Sequence, residues 1–259
     1  MFKRIVTVFL SVMLFAAGAG VLTSPNVSAA GSLRIIVNGQ ELQLGGGASA
    51  YTDGTDIMLP LRETAQALKY KVTFSGATGT FLLERFQESV QFRLSGKELV
   101  LDGKNKVPFT GGFELKQKKA YAPLSFFAAI GLVTSYNPET DQVDVYAPEV
   151  MAGAVAGLLV TGNYPALKER YYAKDAEPAV LPVLQQSWEG MNTPAGSYLG
   201  VKSTTSTQQD GVMMIVSVLS FTKAEAVLTL ELGASGKLTK LTLTPVQAAN
   251  EVLASPAQP

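Results

Sequence analysis

The side chains that could carry chemistry in this sequence are carboxylates and tyrosines, because the chain contains no histidine and no cysteine. Serine and cysteine nucleophiles usually depend on an imidazole base, and zinc, copper and haem sites depend on imidazole or thiolate ligands. The sequence therefore argues against these classes and predicts no catalytic residue, no metal site and no cofactor. Chemistry by carboxylate, lysine or tyrosine, and hard-cation binding through oxygen, remain open.

The candidate ligand pocket lies in the second half of the chain. Tyr172, Trp188, Glu189 and Tyr198 could place a carboxylate base opposite a tyrosine within an apolar pocket. Against this, the strands predicted there are nearly all apolar on one face, and Trp188 suits a plug between a helix and a sheet. A small-pocket enzyme that uses carboxylate and tyrosine chemistry is therefore the alternative function.

Two pairs of aspartates could suggest calcium: Asp53 with Asp56, and Asp141 with Asp144. A calcium loop needs alternating oxygen ligands and a bidentate glutamate at a fixed distance, and neither pair has this pattern. Both pairs are interpreted as turn aspartates.

The first thirty residues have the pattern of a secretory signal peptide. Lys3 and Arg4 precede an uncharged run from Ile5 to Leu22, and the small residues from Val27 to Gly31 offer a cleavage site. An uncleaved membrane anchor is the alternative, since the run approaches the length that spans a bilayer. With cleavage favoured, we expect a secreted or cell-wall-associated protein without a stable membrane anchor.

Charge argues against nucleic acid as a partner. The chain carries 21 basic and 21 acidic residues, whereas nucleic-acid binding needs a concentrated basic face. The densest basic stretch runs from Glu114 to Tyr121 and is interpreted as a solvated hairpin.

A single pattern occurs twice in the first half of the chain. Asn38-Gly39 matches Asp102-Gly103, and the segment Met58 to Leu61 matches Tyr121 to Leu124. Asn-Gly and Asp-Gly are strong hairpin signals, because both turn residues must accept a positive φ. Each copy predicts a hairpin, a strand, a helix that starts at a proline, and a further strand.

The two predicted helices are amphipathic. Pro60 and Pro123 suit a helix start, where the missing N–H would have had no partner. The apolar stripes are Leu61, Ala65 and Leu68 in the first helix, and Leu124, Phe127, Ala128 and Ile130 in the second. One hairpin cannot bury such a stripe alone, so the two copies are expected to share a core.

A second unit follows from Glu149. It predicts a helix, a break at Gly162-Asn163, a second helix from Pro165 and a third over Glu177 to Met191. Four β-rich segments then predict an antiparallel sheet, and 247–259 is expected to be a disordered tail. The predicted fold class is α+β: a duplicated β-hairpin/helix module over 31–148, then a three-helix, four-stranded antiparallel domain over 149–246.

The first unit resembles the copper amine oxidase N-terminal (stalk) domain family of Gram-positive exported proteins. The resemblance is carried by "VNGQEL", "DGTDIMLPLRETAQAL" and the degenerate second copy "AYAPLSFFAAIGL". It implies a non-catalytic β/α module, because copper and the quinone of the oxidases lie in a larger domain that needs three histidines. Arg62 matches the arginine usual after the family's proline-leucine, and Ser125 replaces it in the second copy.

The second unit resembles an uncharacterised helix–sheet domain found ahead of some exported α/β-hydrolase domains. The carriers are "GNYPAL", the lone Trp188, Gly196 and "GKLTKLTLTP". This resemblance implies the cone of cystatin-like and ketosteroid-isomerase-like folds. It implies no activity, since no hydrolase domain follows.

Together these features predict an exported, non-catalytic binding or structural protein of the bacterial cell envelope or extracellular space. Cell-wall polysaccharide or an envelope protein is the expected partner.

Overall fold

The structure is a computed structural model that describes residues 33–45, 47–86, 88–173 and 180–246. It is mixed α+β, which confirms the predicted class. The predicted signal peptide and C-terminal tail lie outside the described residues. None of the helices in the described ranges combines the length and the apolar character that crossing a bilayer requires.

The N-terminal module, residues 33–147, consists of short strands and two short helices. The helices are α1 (Leu61–Ala67) and α2 (Leu124–Ala129). The strands are β1 (Arg34–Val37), β2 (Gln40–Glu41), β3 (Tyr51–Asp53), β4 (Asp56–Pro60), β5 (Lys71–Ser75), β6 (Thr80–Arg85), β7 (Glu88–Arg93), β8 (Glu98–Leu101), β9 (Asn105–Pro108), β10 (Glu114–Lys116), β11 (Lys119–Pro123), β12 (Val133–Asn137) and β13 (Gln142–Tyr146).

Hairpin turns form where the sequence predicted them. Asn38 and Gly39 have φ values of 51° and 81°, and Asp102 and Gly103 have 51° and 70°. Two successive positive φ values suit a two-residue hairpin loop, which is why these residue pairs occur there. The basic stretch is also a hairpin, in which β10 pairs with β11.

Three sheets make up the N-terminal module, in the strand orders β12-β13-β1-β2, β10-β11-β4-β3 and β5-β6-β7-β8-β9. The β1–β2 hairpin does not pair with the strands that follow α1. It instead lies beside β13, where β1 runs parallel to it. The β8–β9 hairpin joins the sheet of β5 and β6 through β7. The two hairpins are therefore exchanged between the halves of the module.

The predicted apolar stripe of α1 is fully buried at Leu61, Ala65 and Leu68. In α2 the prediction was incomplete. Phe127 is fully buried, but Leu124, Ala128 and Ile130 are only partly buried, and Phe126 is fully buried although the stripe omitted it. The reason is that α2 spans only six residues, so it lies between sheets and buries more than one stripe.

A row of phenylalanine side chains crosses the first core. Ring centroids lie 5.2 Å apart for Phe126 and Phe127, 4.9 Å for Phe92 and Phe126, and 5.4 Å for Phe81 and Phe92. Each such pair contributes about 0.5–1.5 kcal/mol beyond the burial of its area. The row continues to Phe74, whose ring lies 4.6 Å from that of Phe81.

The C-terminal module, residues 148–246, has three helices and one four-stranded antiparallel sheet within the described ranges. The helices are α3 (Pro148–Val160), α4 (Tyr164–Tyr171) and α5 (Val180–Ala195). The strands are β14 (Tyr198–Gln209), β15 (Val212–Phe221), β16 (Glu225–Leu232) and β17 (Leu238–Val246), in sequential order. Asn163 caps α4 by accepting a hydrogen bond from the N–H of Ala166.

The third helix differs from its prediction at its end. It was expected to end at Met191, but α5 runs through Pro194 to Ala195. A proline near the end of a helix removes one main-chain hydrogen bond, and the helix continues for one more residue before Gly196, whose φ is 83°, ends it. The predicted start at Glu177 lies outside the described residues.

The inner face of the sheet packs against the helices. Buried residues alternate along β15 and β16. Large apolar side chains fill the second core: Met151, Leu159, Leu184, Trp188, Met191, Ile215, Leu228 and Leu230. Val133 of β12 belongs to this core as well, so the two modules share apolar contacts.

An arginine also joins the modules. Arg85, at the end of β6, is 8% exposed and donates to Glu88 of the same hairpin. Its Nη1 lies 3.1 Å from a carboxylate oxygen of Glu149 at the start of α3. Its guanidinium lies 4.9 Å from the centre of the Tyr70 ring. Removing this side chain would leave both carboxylates without their cation.

Candidate functional site

The residues of the sequence-predicted pocket do not form one site. Tyr172 is 4% exposed, and its main chain forms an isolated β-bridge with Leu238 on β17. Tyr198 begins β14, which lies at the opposite edge of the sheet. Glu189 faces solvent on α5, where it accepts a hydrogen bond from Gln185. The carboxylate that the enzyme alternative requires therefore does not point into the core.

Trp188 fills the space between α5 and the sheet. It is 4% exposed, and its ring lies 5.9 Å from that of Phe221. The Tyr198 ring contacts the same phenylalanine edge to face at 5.6 Å. Trp188 and Tyr198 thus share a neighbour, and their arrangement is that of packed core residues.

The Tyr172 hydroxyl is buried and has no hydrogen-bond partner among the described residues. Burial raises the pKa of this hydroxyl to about 12, because the phenolate would lose its hydration. A neutral phenol enclosed by apolar side chains cannot act as a general base at neutral pH.

A groove of about 530 Å³ lies where the two modules meet. One wall is the outward side of β12, β13 and the β1–β2 turn, and the other is α3, the end of α4 and the β16–β17 turn. We call it the polar groove, and define it by Ser135, Gln142, Asp144, Tyr146, Arg170, Tyr171 and Lys237. Concave sites at the junction of two units are common places for ligands.

Asp144 is the acidic centre of the polar groove. It lies in β13, and its two carboxylate oxygens accept separate hydrogen bonds. The Ser135 hydroxyl donates at 3.3 Å and the Gln142 side-chain amide donates at 3.0 Å. These contacts hold the carboxylate in one orientation, while its remaining lone pairs can accept from a ligand.

Two cations stand on the opposite wall. Arg170 is in the last turn of α4, and Lys237 is in the β16–β17 turn. The Lys237 ammonium donates to the main-chain oxygen of Arg170 at 3.0 Å. This bond fixes the turn of β16–β17 to the end of α4, so the cationic wall is built from two elements.

Two tyrosines line the groove between these walls. The rings of Tyr146 and Tyr171 lie edge to face, 6.2 Å apart. Burial and the nearby Asp144 raise the pKa of the Tyr146 hydroxyl, and burial raises that of Tyr171. Both phenols therefore stay neutral at physiological pH, and their hydroxyls are hydrogen-bonded to each other.

The groove is held by two close approaches. A Cβ on Gly236 would lie 1.9 Å from the main-chain oxygen of Thr134 in β12, so only glycine fits there. On the other side, the Asn38 side chain accepts from the N–H of Ala147 at 2.9 Å, and the Asn38 N–H donates to Val145 at 2.9 Å. The hairpin turn of β1–β2 is thus tied to the start of α3.

One interpretation from the sequence was wrong at this site. Asp144 was interpreted as a turn aspartate, but it lies within β13 and lines the groove. Only Asp141 is in the turn, with a φ of 47°. The missed signal was the alternation of β13, in which Val143 and Val145 point into the first core and Asp144 points away from it.

The groove offers a carboxylate, two cations and two tyrosines. Its hydroxyls lack an imidazole base, and the chain has no histidine or cysteine. No group of three or more acidic residues in the described ranges is arranged to hold a metal ion. The residues present do not fit a copper centre, which needs nitrogen or sulfur ligands.

Comparison with known proteins identifies the first module. Residues 36–145 match the family model described as the copper amine oxidase N-terminal domain. A search of curated proteins found no match. Over residues 36–145, the chain is therefore similar to the copper amine oxidase N-terminal domain, a non-catalytic domain, and the resemblance predicted from the sequence is confirmed.

Proposed function

We propose that this chain is an exported, non-catalytic binding protein of the bacterial cell envelope or extracellular space, and that the polar groove binds cell-wall polysaccharide. The observation that carries the proposal is the groove itself. It combines a fixed carboxylate at Asp144, cations at Arg170 and Lys237, and the tyrosine rings of Tyr146 and Tyr171.

A sugar chain matches this set of groups. Its hydroxyls both donate and accept hydrogen bonds, so the Asp144 carboxylate can accept from them while Arg170 and Lys237 donate to them. The apolar face of a sugar ring can lie on the partly exposed ring of Tyr146.

The N-terminal segment supports export. Two basic residues, an uncharged run and small residues follow one another in the order of a cleavable signal peptide. An exported protein of this composition, without cysteine, would depend on burial for stability. The two cores described above supply that burial.

A duplicated module is part of this proposal. Strand β4 pairs with β11 so that Met58 faces Pro123 and Pro60 faces Tyr121. Since Met58 corresponds to Tyr121 and Pro60 to Pro123 in the repeat, this is the pairing that a local two-fold axis would produce. The exchanged hairpins follow the same relation. Both features support two copies that stabilise each other.

For the C-terminal module we propose a cone-like domain of the cystatin or ketosteroid-isomerase type. Its three helices and its sequentially ordered antiparallel sheet support this assignment. A core filled by leucine, methionine and Trp188 supports a role in building the groove wall, and not in enclosing a substrate.

Sedimentation with purified wall polysaccharide tests the proposal. The chain without its first thirty residues should pellet with the polysaccharide, and Asp144→Asn and Arg170→Gln should each weaken retention by about tenfold, since hydrogen bonds to charged groups contribute about 1.5–3 kcal/mol. Matched controls are Asp210→Asn, at the exposed β14–β15 turn, and Arg93→Gln on β7.

The controls should bind as the unmodified chain does. Equal loss in the groove and control variants, or no pelleting of the unmodified chain, would overturn the proposal. Binding that disappears after protease treatment of the wall would indicate an envelope protein as the partner in place of the polysaccharide.

A further inference from the structure

A second concave surface lies in the N-terminal module, away from the polar groove. This cleft of about 370 Å³ is bounded by the start of α1, by β5 and β6, and by the β10–β11 hairpin. We call it the apolar cleft, and define it by Arg62, Phe74, Phe81, Leu115 and Lys118.

The floor of the apolar cleft continues the first core to the surface. The phenylalanine row that begins at Phe127 ends at Phe74, which is 48% exposed although it packs on Phe81 at 4.6 Å. Leu115 on the facing hairpin is 66% exposed. Two large apolar side chains thus face one space from opposite walls, and covering them would remove apolar area from water.

The rim of the cleft is cationic. Lys119 is paired with Glu63 at 3.4 Å and also donates to the main-chain oxygen of Gly45. Arg62 donates to the main-chain oxygen of Val72 at 3.5 Å. No described carboxylate lies within ion-pair distance of Arg62 or Lys118. Among the described residues, these two cations of the cleft therefore have no carboxylate paired with them, and an acidic occupant would supply one.

The sides of the cleft are sheet edges. Strand β5 is the edge of the sheet β5-β6-β7-β8-β9, and β10 is the edge of the sheet β10-β11-β4-β3. Within the described residues, the outer main-chain groups of both strands have no neighbouring strand. An extended peptide can pair with such an edge and place alternate side chains in a neighbouring pocket.

We propose that the apolar cleft binds an extended peptide segment of a partner protein, one that alternates apolar and acidic residues and adds as a strand to β5. The apolar side chains of the peptide cover Phe74 and Leu115, and its carboxylates meet Arg62 and Lys118. The edge strand favours a peptide over an acidic lipid, because a lipid would leave the main chain of β5 unpaired.

Fluorescence anisotropy tests this with a short labelled peptide that alternates glutamate with leucine, added to the purified full-length protein. Leu115→Ser and Lys118→Glu should each weaken binding by about tenfold or more, since anchors in an interface centre and charge pairs are each worth at least that. The matched controls are Leu199→Ser, at a position 65% exposed in the other module, and Lys104→Glu at an exposed turn. Both controls should bind normally.

Amide hydrogen exchange supplies a second readout. On addition of the peptide, the amides of β5 should become protected, since strand addition gives them partners. Equal binding of a peptide that alternates lysine with leucine would overturn the proposal, as would binding without protection of β5. Displacement of the peptide by dodecanoate together with unprotected β5 amides would assign the cleft to an acidic lipid instead. None of these outcomes depends on polysaccharide binding at the polar groove.

Discussion

The polar groove and the apolar cleft differ in how their walls are made. In the groove, Asp144 is held by Ser135 and Gln142, and Lys237 is held by the main chain of Arg170. In the cleft, Phe74 and Leu115 are large, exposed and apolar. Of the cations on its rim, Lys119 is the one that pairs with a carboxylate within the part of the chain that the structure describes.

This difference corresponds to the two kinds of ligand proposed for the two surfaces. A surface whose polar groups are oriented by their own neighbours gains specificity by hydrogen-bond geometry. A surface with uncovered apolar side chains and free charge gains affinity from burial and from long-range attraction. The groove also needs both modules, whereas the cleft is formed by the N-terminal module alone.

The largest effect on stability should come from Gly236→Ala, a substitution that should disturb the polar groove and leave the apolar cleft intact. The new Cβ would meet the Thr134 main chain at 1.9 Å, so β12 and the β16–β17 turn must move apart. We expect a loss of about 3 kcal/mol or more in the free energy of unfolding, from steric conflict and from the left-handed backbone. Urea denaturation measures it.

Gly103→Ala is the matched control, because Gly103 has the same φ of 70° but no atom near its Cβ position. It should cost only about 1–2 kcal/mol, the penalty of the left-handed conformation. Polysaccharide retention should fall in Gly236→Ala while peptide binding at the cleft persists. Similar costs for both substitutions would contradict the close contact with Thr134.

Raising the salt concentration should weaken binding at the two sites to different extents, an effect smaller than that of Gly236→Ala. Raising sodium chloride from about 0.05 M to about 0.5 M shortens the screening length from roughly 14 Å to roughly 4 Å. Binding of the acidic peptide should weaken by about tenfold, since it depends on Arg62 and Lys118. Polysaccharide retention should change by less than about threefold. The same titration on both ligands measures this, and equal salt dependence would remove the distinction.

The smallest effect at neutral pH should come from Tyr172→Phe, which should alter neither site. Its hydroxyl is buried and has no hydrogen-bond partner in the described ranges, so its removal should change the free energy of unfolding by no more than about 1 kcal/mol, with stabilisation the expected sign. Urea denaturation at neutral pH measures this. A change in binding at either site would show that Tyr172 has a functional role.

The same variant has a pH signature. The pKa of Tyr172 is raised from its ordinary 10.0 to about 12 in the folded chain. Because the phenol ionises at lower pH in the unfolded chain than in the folded one, the free energy of unfolding falls by about 3 kcal/mol as the pH rises from 10 through 12, and this group changes nothing below pH 10. The free energy of unfolding, measured by urea denaturation between about pH 9 and pH 11.5, should therefore decrease less with rising pH in the variant than in the unmodified chain.

Local features could be predicted from the sequence because they depend on neighbouring residues. The turns at Asn38-Gly39 and Asp102-Gly103, the helix starts after Pro60 and Pro123, and the buried stripe of α1 follow from backbone preference and apolar spacing. The family assignment rested on the same short segments. These are properties that a few adjacent residues determine.

The candidate sites could not be predicted, because each depends on which elements pack together. Asp144 and Lys237 are far apart in the chain and meet only because Gly236 lets the β16–β17 turn approach β12. The sequence likewise gave no sign that Phe74 would end a buried row at the surface. The residues of the sequence-predicted pocket were chosen by residue type. Glu189 lies on the solvent-facing side of α5, which residue type alone does not predict.

The exchanged hairpins have a consequence for the order of events during folding. Ile35 and Val37 find their strand partners at Val143 and Val145, more than a hundred positions later. During synthesis from the amino terminus, the β1–β2 hairpin therefore has no partner strand until nearly the whole N-terminal module has been made. Pairing between residues so far apart in the chain slows folding. Until it occurs, the unpaired strand edge of β1 is exposed and prone to aggregate. A chaperone that shields the β1–β2 hairpin would therefore raise the yield of native protein more than one that acts on the second half of the module.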